Sequence, residues 1–257
     1  MNNQNVVLTL IDGPTLLIEI GGLRLLTDPA FDPPQSCDSA GTTVIKQAGP
    51  PVGPGELGKI DAVLLSHDQH LDNLDHSGRA LLPTVNRVLT TIAGAGRLGG
   101  NAEGLAHWQS TTFPLADGRV LTVTGTPARH GPVGAEVKTG DVIGFVLSVD
   151  GAPGVYISGD TVWFSGVAEI AERFEIRLAV LFTGAARPRG PFNTTMNTND
   201  AIEAATVFKD AKIVAIHNHG WAHFVESQED VVQAFVWVGI GSRFQSLQRM
   251  TPFEFEL

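Results

Sequence analysis

The chain has few features of a secreted or membrane-bound protein. Cys37 is the only cysteine, which excludes an intramolecular disulfide and favours a cytoplasmic setting. The start of the sequence lacks a basic segment followed by a long apolar core, so we expect no secretory signal. The longest apolar run, VVQAFVWVGI (231–240), is too short to span a bilayer. We predict a soluble protein with no membrane partner, in which this run serves the core or the interface of a homo-oligomer.

Basic residues are also scarce. The chain has 17 lysines and arginines against 27 aspartates and glutamates, a formal net charge of −10. Binding to nucleic acid needs clustered Lys and Arg, and no such run is present, so we expect no nucleic-acid partner and disfavour a nuclease. A small anionic substrate stays compatible with the charge, because bound metal ions reverse the field around them.

The composition that remains is that of an enzyme. A hydrophobic fraction of 43% and 29 glycines in 257 residues indicate a well-packed α/β protein, and we expect one domain over residues 1–257. Segment 32–59 is rich in Pro, Gly, Ser and Gln and is predicted to be a long surface loop bordering a pocket. The stretch AGAGRLGG (93–100) matches the bare GxGxxG pattern, but no suitable ribose-binding acid follows, so nucleotide binding is not expected.

The stretch SHDQHLDNLD (66–75) carries two histidines and three aspartates directly after the apolar run AVLL. Such a run is typical of a buried strand, and open α/β folds place ligand chemistry at the C-terminal ends of strands. Imidazole nitrogens and carboxylate oxygens together suit zinc, or manganese or iron. The alternative is a solvated helix start with Asp72 or Asp75 as its cap.

Three further predicted strands end in residues of the same kind. His130 follows the strand in RVLTVTGTPARHGP, and Asp160 follows the strand in GVYISGDT. His217 comes directly after the strand KIVAI, at the start of HNHGWAHF. If these strands share a sheet, their ends meet at one edge, where burying so many ionisable groups without a cation is costly. The predicted metal ligands are His67, His70, Asp72, His130, Asp160 and His217.

The order of five motifs resembles the metallo-β-lactamase superfamily. The motifs are LLTDPAF, SHDQHLDNLD, PARHG, SGDT and AIHNHGWAHF, which together span nearly the whole chain. The resemblance is to the branch of ascorbate-phosphate lactonases and N-acylphosphatidylethanolamine phospholipase D. It implies an αββα four-layer sandwich with mixed sheets, helices on the outer faces and one or two divalent ions at one edge, zinc first and manganese or iron as alternatives.

Carried over residue by residue, the family motif HxHxDH falls on His67, His70 and Asp72, with Asn73 in place of the final histidine. The resemblance assigns His130 to the first metal and His217 to the second, with Asp160 bridging them. Two departures concern the second metal: an extra residue separates the first two histidines, and an amide is a weaker ligand than imidazole. The candidates to compensate or to support the ligands are Asp68, His76, His219, His223 and Asp28.

The resemblance implies hydrolysis of a small ester, lactone or phosphodiester by a metal-bound hydroxide. Asp72 or Asp160 would orient the water, and His217 or His219 would stabilise the oxyanion or protonate the leaving group.

Arg187 and Arg189 are predicted to bind an anionic group of the substrate; the alternative is that they are solvated loop charges.

The amide at position 73 leaves a second function open. Because Asn73 replaces a ligand histidine, the alternative function is a non-hydrolytic metal-binding protein of the same fold, with a redox or sensory role.

Overall fold

Two β-sheets lie face to face at the centre of the computed structural model, which describes residues 5–39 and 41–257. Residues 1–4, part of the segment in which no secretory signal is expected, lie outside that range. The first sheet has the order β15-β1-β2-β3-β6-β7-β8. Its strands are β1 (Asn5–Asp12), β2 (Thr15–Ile20), β3 (Leu23–Thr27), β6 (Ala62–Leu64), β7 (Arg87–Thr91), β8 (Ala102–Leu105) and β15 (Phe253–Glu256).

The second sheet has the order β14-β13-β12-β11-β10-β9 and supplies most of the strand ends predicted to carry ligands. Its strands are β9 (Ser110–Pro114), β10 (Val120–Pro127), β11 (Ile143–Val149), β12 (Gly154–Ile157), β13 (Ile176–Phe182) and β14 (Lys212–Ile216). Pairing is parallel between β12 and β13 and between β13 and β14, and antiparallel elsewhere in this sheet.

One hydrophobic core fills the space between the two sheets. Leu8 and Ile18 of the first sheet share it with Leu121 and Val123 of the second, and all four are fully buried. Side chains alternate between the two faces of a strand, so the residues that alternate with Leu121 and Val123 face away from this core. Val120, which is exposed, and Thr122, which is half-buried, accordingly alternate along β10 with the buried Leu121 and Val123.

The described residues contain six helices, most of which cover the outer faces together with short helical turns. They are α1 (His76–Leu81), α2 (Ile92–Leu98), α3 (Glu136–Thr139), α4 (Ser165–Arg173), α5 (Thr198–Val207) and α6 (Gln228–Trp237). Apolar residues of α4, α5 and α6 pack on the second sheet in a second hydrophobic cluster. Leu74, Leu82 and neighbours of α1 form a third cluster on the first sheet. The predicted αββα arrangement is confirmed.

One local prediction is wrong, that segment 32–59 is a continuous loop, and one stretch in which no nucleotide site was expected is a helix. Segment 32–59 contains a hairpin of β4 (Gln35–Ser39) and β5 (Thr42–Lys46), whose strands are short and largely polar and so lack a strong sequence signal. The stretch 93–100 is mostly helix α2, capped by the Thr91 hydroxyl, which accepts a hydrogen bond from the Gly94 amide at 2.9 Å. Its glycines therefore do not form a phosphate-binding loop.

The C-terminal apolar run forms much of helix α6 and divides between core and surface. Val231 and Phe235 are buried, whereas Trp237 is 88% exposed beside the exposed Val236 and Val238. A role of this surface in a homo-oligomer stays a prediction. In the part of the chain that the structure describes, no helix combines the length and apolar character needed to cross a membrane.

Candidate metal centre

The predicted ligands follow four strand ends that meet at one edge of the sandwich. Strands β10, β12 and β14 run in the same direction, so their C-terminal ends share an edge of the second sheet. Strand β6 of the first sheet brings the loop 66–75 to the same place. His217 sits in the left-handed region with φ 58°, a strained backbone of the kind that clusters at functional sites.

Three histidines form the first group of donor atoms, here called the histidine trio: His67, His70 and His130. His67 Nε2 lies 2.8 Å from His70 Nδ1, and His130 Nε2 lies 3.0 Å from the same atom. All three side chains are buried, and one nitrogen from each lies within 4.8 Å of the others. The extra residue between His67 and His70 is accommodated with the Nδ1 atom of His70 turned toward the other two rings.

Hydrogen bonds from behind fix two of these rings. The Ser66 hydroxyl donates to Asp28 Oδ1 at 2.9 Å and accepts from His67 Nδ1 at 2.9 Å. The Nδ1 of His130 donates to the carbonyl oxygen of Thr194 at 2.7 Å. With both Nδ1 atoms protonated, both Nε2 lone pairs point into the trio, as is usual for metal-ligating histidines.

The histidine trio has the properties that a cation requires. His70 Nδ1 carries at most one proton, so it cannot donate to both neighbouring Nε2 atoms, and its Nε2 is buried without a hydrogen-bond partner among the described residues. Burial, reinforced by His130, lowers the pKa of His70 to about 4, so its ring is neutral near pH 7. Converging neutral imidazoles suit a divalent ion such as zinc.

The second group, here called the aspartate–histidine trio, consists of Asp72, Asp160 and His217, again with donor atoms within 4.8 Å of one another. His217 Nε2 lies 3.3 Å from Asp160 Oδ1 and 3.9 Å from Asp72 Oδ2. The other oxygen of Asp160, Oδ2, lies 3.7 Å from His130 Nε2. Asp160 therefore presents one oxygen to each trio, the arrangement of a bridging carboxylate.

The electrostatics of this second trio also suit a cation. Burial by itself would raise the pKa of Asp160, but the His217 ring beside it holds that pKa below its usual range. Burial would likewise lower the pKa of His217, and the charge of Asp160 raises it. Neither ring nitrogen of His217 has a hydrogen-bond partner in the described chain. Two carboxylates and an imidazole fit zinc, manganese or iron.

Three of the predicted supporting residues lie away from both trios. The Asp68 carboxylate is held by Arg97, whose Nε and Nη2 donate to its two oxygens at 2.5–3.1 Å. His76 contacts Asp32 at 2.9 Å with its side chain 74% exposed. His219 lies 3.7 Å from Asp12 with its side chain 58% exposed.

Three others contact the trios. Asp28 supports His67 through Ser66, as described above. Asn73 Nδ2 donates to Asp160 Oδ1 at 3.2 Å. His223 Nε2 lies 3.1 Å from Asp72 Oδ2.

The two arginines differ in position. Arg187 is exposed, and its Nε donates to Asn193 Oδ1 at 2.7 Å. Arg189 donates to Thr42 Oγ1 at 2.8 Å and to the Ser39 carbonyl at 3.3 Å, both in the β4–β5 hairpin. Together with the hairpin it closes a pocket over His70 and Asp72 of about 10 Å³, which is room for about one water molecule.

Sequence reasoning missed several residues that shape the centre. Ser66 and Thr194 support ligands, and Arg97 holds the loop between the first two histidines. Lys46 of β5 forms a buried ion pair with Asp75 at 3.2 Å, with both side chains 2% exposed, and so ties the hairpin to the end of loop 66–75. Of these, Ser66 stands inside the motif 66–75 and Arg97 inside the glycine-rich stretch 93–100, whereas Thr194 and Lys46 stand in no motif that the sequence singled out.

Comparison with known proteins agrees with this geometry. A family model described as a beta-lactamase superfamily domain matches residues 23–218. The chain belongs to the β-lactamase superfamily. A Myxococcus xanthus protein named a metal-dependent hydrolase is 27% identical over 175 residues, which cover 65% of this chain and 58% of that protein. A Pyrobaculum neutrophilum protein of the same name is 27% identical over 220 residues, covering 83% of this chain and 84% of the relative.

A solved structure agrees over nearly the full length. The isothiocyanate hydrolase from Delia radicum gut bacteria has a TM-score of 0.84 and 25% identity, covering 98% of this chain and 100% of that one. The predicted superfamily is confirmed, and so, at this coarse level, is the prediction of a metal-dependent hydrolase. The assignment of individual ligands stays a prediction, now supported by the geometry of the two trios.

Proposed function

We propose that this protein hydrolyses small molecules at a centre in which the two trios hold one or two divalent ions. The observation that carries the proposal is the convergence of six buried donor side chains, linked through the two oxygens of Asp160. Zinc is the first candidate, with manganese or iron as alternatives. When bound, such an ion supplies Lewis acidity and a water molecule of lowered pKa.

The chain's own residues would orient the reactants. The Asp72 carboxylate borders the pocket between the hairpin and the histidine trio, where it can accept a hydrogen bond from the attacking water. The Asp160 carboxylate, with one oxygen facing each trio, would fix the position of the two trios relative to each other. His217, the buried imidazole of the second trio, lies between Phe182 and Phe224 and contributes to the charge balance of the centre.

The cavity beside the centre suggests the substrate's shape. An open cavity of about 290 Å³ adjoins His130 and is lined largely by apolar groups, including Ile92, Leu105 and Val142. It fits a small molecule with an apolar portion, such as a carboxylic ester or a lactone. The similarity to an isothiocyanate hydrolase adds the isothiocyanates, which also present an electrophilic carbon to water.

A second candidate class is anionic. Arg189 lines the small pocket over His70 and Asp72, and its guanidinium would bind a phosphate or carboxylate of a substrate that displaces the hairpin to which it is hydrogen-bonded. This position favours a phosphodiester or an anionic lactone as the substrate. Arg187, bound to Asn193 on the surface, supplies the matched control.

The test begins with metal analysis of the purified protein and continues with activity on esters, lactones, isothiocyanates and phosphodiesters. We expect at least one equivalent of a transition metal and hydrolysis of one class that is abolished by chelation. Less than one equivalent would contradict the proposal. If an anionic substrate is active, Arg189→Ala should raise its KM while Arg187→Ala leaves it unchanged. An unchanged KM in both variants would remove the anionic candidate.

A further inference from the structure

The second metal position lacks a family ligand at residue 73, and the structure shows what Asn73 does there. Its Nδ2 donates to Asp160 Oδ1 at 3.2 Å, while its Oδ1 is buried without a hydrogen-bond partner in the described residues. An amide nitrogen that donates a proton has no lone pair for a cation. Residue 73 therefore supports the Asp160 carboxylate and offers a cation at most its neutral amide oxygen, a weaker ligand than the imidazole of the family, so a stronger donor for the aspartate–histidine trio has to come from elsewhere.

An imidazole from another part of the chain lies beside this trio. His223 follows β14 by seven residues, in the same loop as His217, and its Nε2 lies 3.1 Å from Asp72 Oδ2. The same oxygen is 3.9 Å from His217 Nε2, so Asp72 is flanked by both rings. The His223 side chain is 7% exposed, and its Nδ1 has no hydrogen-bond partner within the described ranges.

The loop that carries His223 is held in place. Trp221 and Phe224 pack on its ring, with centroids at 5.7 and 4.9 Å. The backbone carbonyl of His223 accepts from the Arg187 amide at 2.9 Å, and the Ala222 amide donates to Ile45 of the hairpin at 3.0 Å. This support positions a buried imidazole against a carboxylate that the geometry assigns to the centre.

We propose that His223 is a ligand of the second divalent ion, completing a site of Asp72, Asp160 and His217 in the place that residue 73 leaves. The inference rests on the proposed metal-dependent function and specifies how its second ion is held. Two carboxylates and two imidazoles form a donor set common to zinc, manganese and iron. Asp68, His76 and His219, the residues expected to compensate, contact Arg97, Asp32 and Asp12 instead.

The test measures bound metal. The wild-type protein, stripped with a chelator and titrated with zinc against a metal indicator, should bind two equivalents with two affinities. His223→Gln keeps a side chain that can donate to Asp72 but lacks the imidazole, and its second affinity should fall by at least about 10-fold. His219→Gln, in the same loop and largely exposed, is the matched control and should retain both affinities.

A rescue variant separates ligation from a structural role. Asn73→His in the His223→Gln background places an imidazole at the family position and should restore much of the second affinity. The proposal is overturned if His223→Gln retains both affinities or if the wild type binds only one equivalent. Binding of no metal at all would instead contradict the proposed function.

A measurement on the wild-type protein covers the case in which His223→Gln does not fold. In histidine ring ¹⁵N spectra during a zinc titration, the His223 signals should shift only with the second equivalent. Signals that stay in place through both equivalents would overturn the proposal.

Discussion

The two trios differ in what lies behind their ligands. In the histidine trio, His67 is supported by Ser66 and Asp28, and His130 by the Thr194 carbonyl, so their proton positions and orientations are set before a cation binds. In the aspartate–histidine trio, His217 is packed between aromatic rings, and its Nδ1 finds no partner in the described part of the chain. Hydrogen bonds behind a ligand raise metal affinity, so we expect the histidine trio to bind its ion more tightly.

Removal of a ligand from each trio should give the largest effects. His130→Ala should lower kcat/KM by at least about 100-fold, beyond the range typical for loss of a residue behind a ligand. It should also abolish the tighter zinc affinity, whereas His217→Ala should abolish only the weaker one. Zinc titration of both variants, beside kcat/KM on the best substrate, checks this. Loss of the same affinity in both variants would break the distinction between the trios.

Loss of support behind a ligand should have an intermediate effect. Ser66→Ala removes the hydroxyl that joins His67 to Asp28, and we expect the tighter zinc affinity to fall by about 10–100-fold. The weaker affinity should change little. The control is Ser110→Ala, because the Ser110 hydroxyl contacts Thr124 on β10 and no residue of either trio. An unchanged tight affinity in Ser66→Ala would show that the hydrogen bonds behind His67 do not explain the difference.

The anchor of the loop between His67 and His70 should matter for stability. Asp68→Asn keeps the shape of the side chain but removes the charge bound by Arg97, and we expect a loss of about 1–2 kcal/mol in the unfolding free energy of the metal-free protein. Urea denaturation measures it. Glu169→Gln, which breaks an exposed helical pair with Arg173, should cost less, about 0.5 kcal/mol or below. Equal losses in both variants would argue against a special role for the Asp68 anchor.

A change at a buried residue outside both trios should have the smallest effect. The Tyr156 hydroxyl is fully buried without a hydrogen-bond partner in the described residues, in the cluster beneath α4 and α5, and burial raises its pKa. Tyr156→Phe should therefore leave stability within about 1 kcal/mol of the wild type, or raise it, because no hydrogen bond is lost. Thermal unfolding and the two zinc affinities check this. A changed zinc affinity would mean that the trios respond to packing well beyond their own contacts.

The sequence predicts those parts of the centre that depend on local pattern. Apolar runs ending in polar residues identify β6, β10, β12 and β14, and the residues that follow them do meet at one edge. The hairpin over the centre was not predicted because QSCDS and TTVIK are too short and polar to show a clear alternation. Helix α2 was not predicted because its glycines obscure the cap at Thr91.

Contacts between distant residues could not be read from pattern. Asp72 and His223 are 151 residues apart, and Arg97 meets Asp68 only because α2 packs beside loop 66–75. The sequence alone offers Asp68, His76, His219 and His223 as equally suitable neighbours of Asp72. Which candidate lies beside Asp72 depends on how loops from different strands pack against one another. Residue type alone does not determine that packing.

If two ions bind as proposed, the two oxygens of Asp160 have a thermodynamic consequence for how the centre fills. One carboxylate faces both trios, so an ion in one trio changes the charge and orientation that the other trio presents. The two binding events are then linked, and the factor by which the first ion alters the affinity for the second must equal the factor by which the second alters the first. Occupancy of the centre by two ions would therefore be a cooperative property of the pair, with Asp160 as the point of coupling.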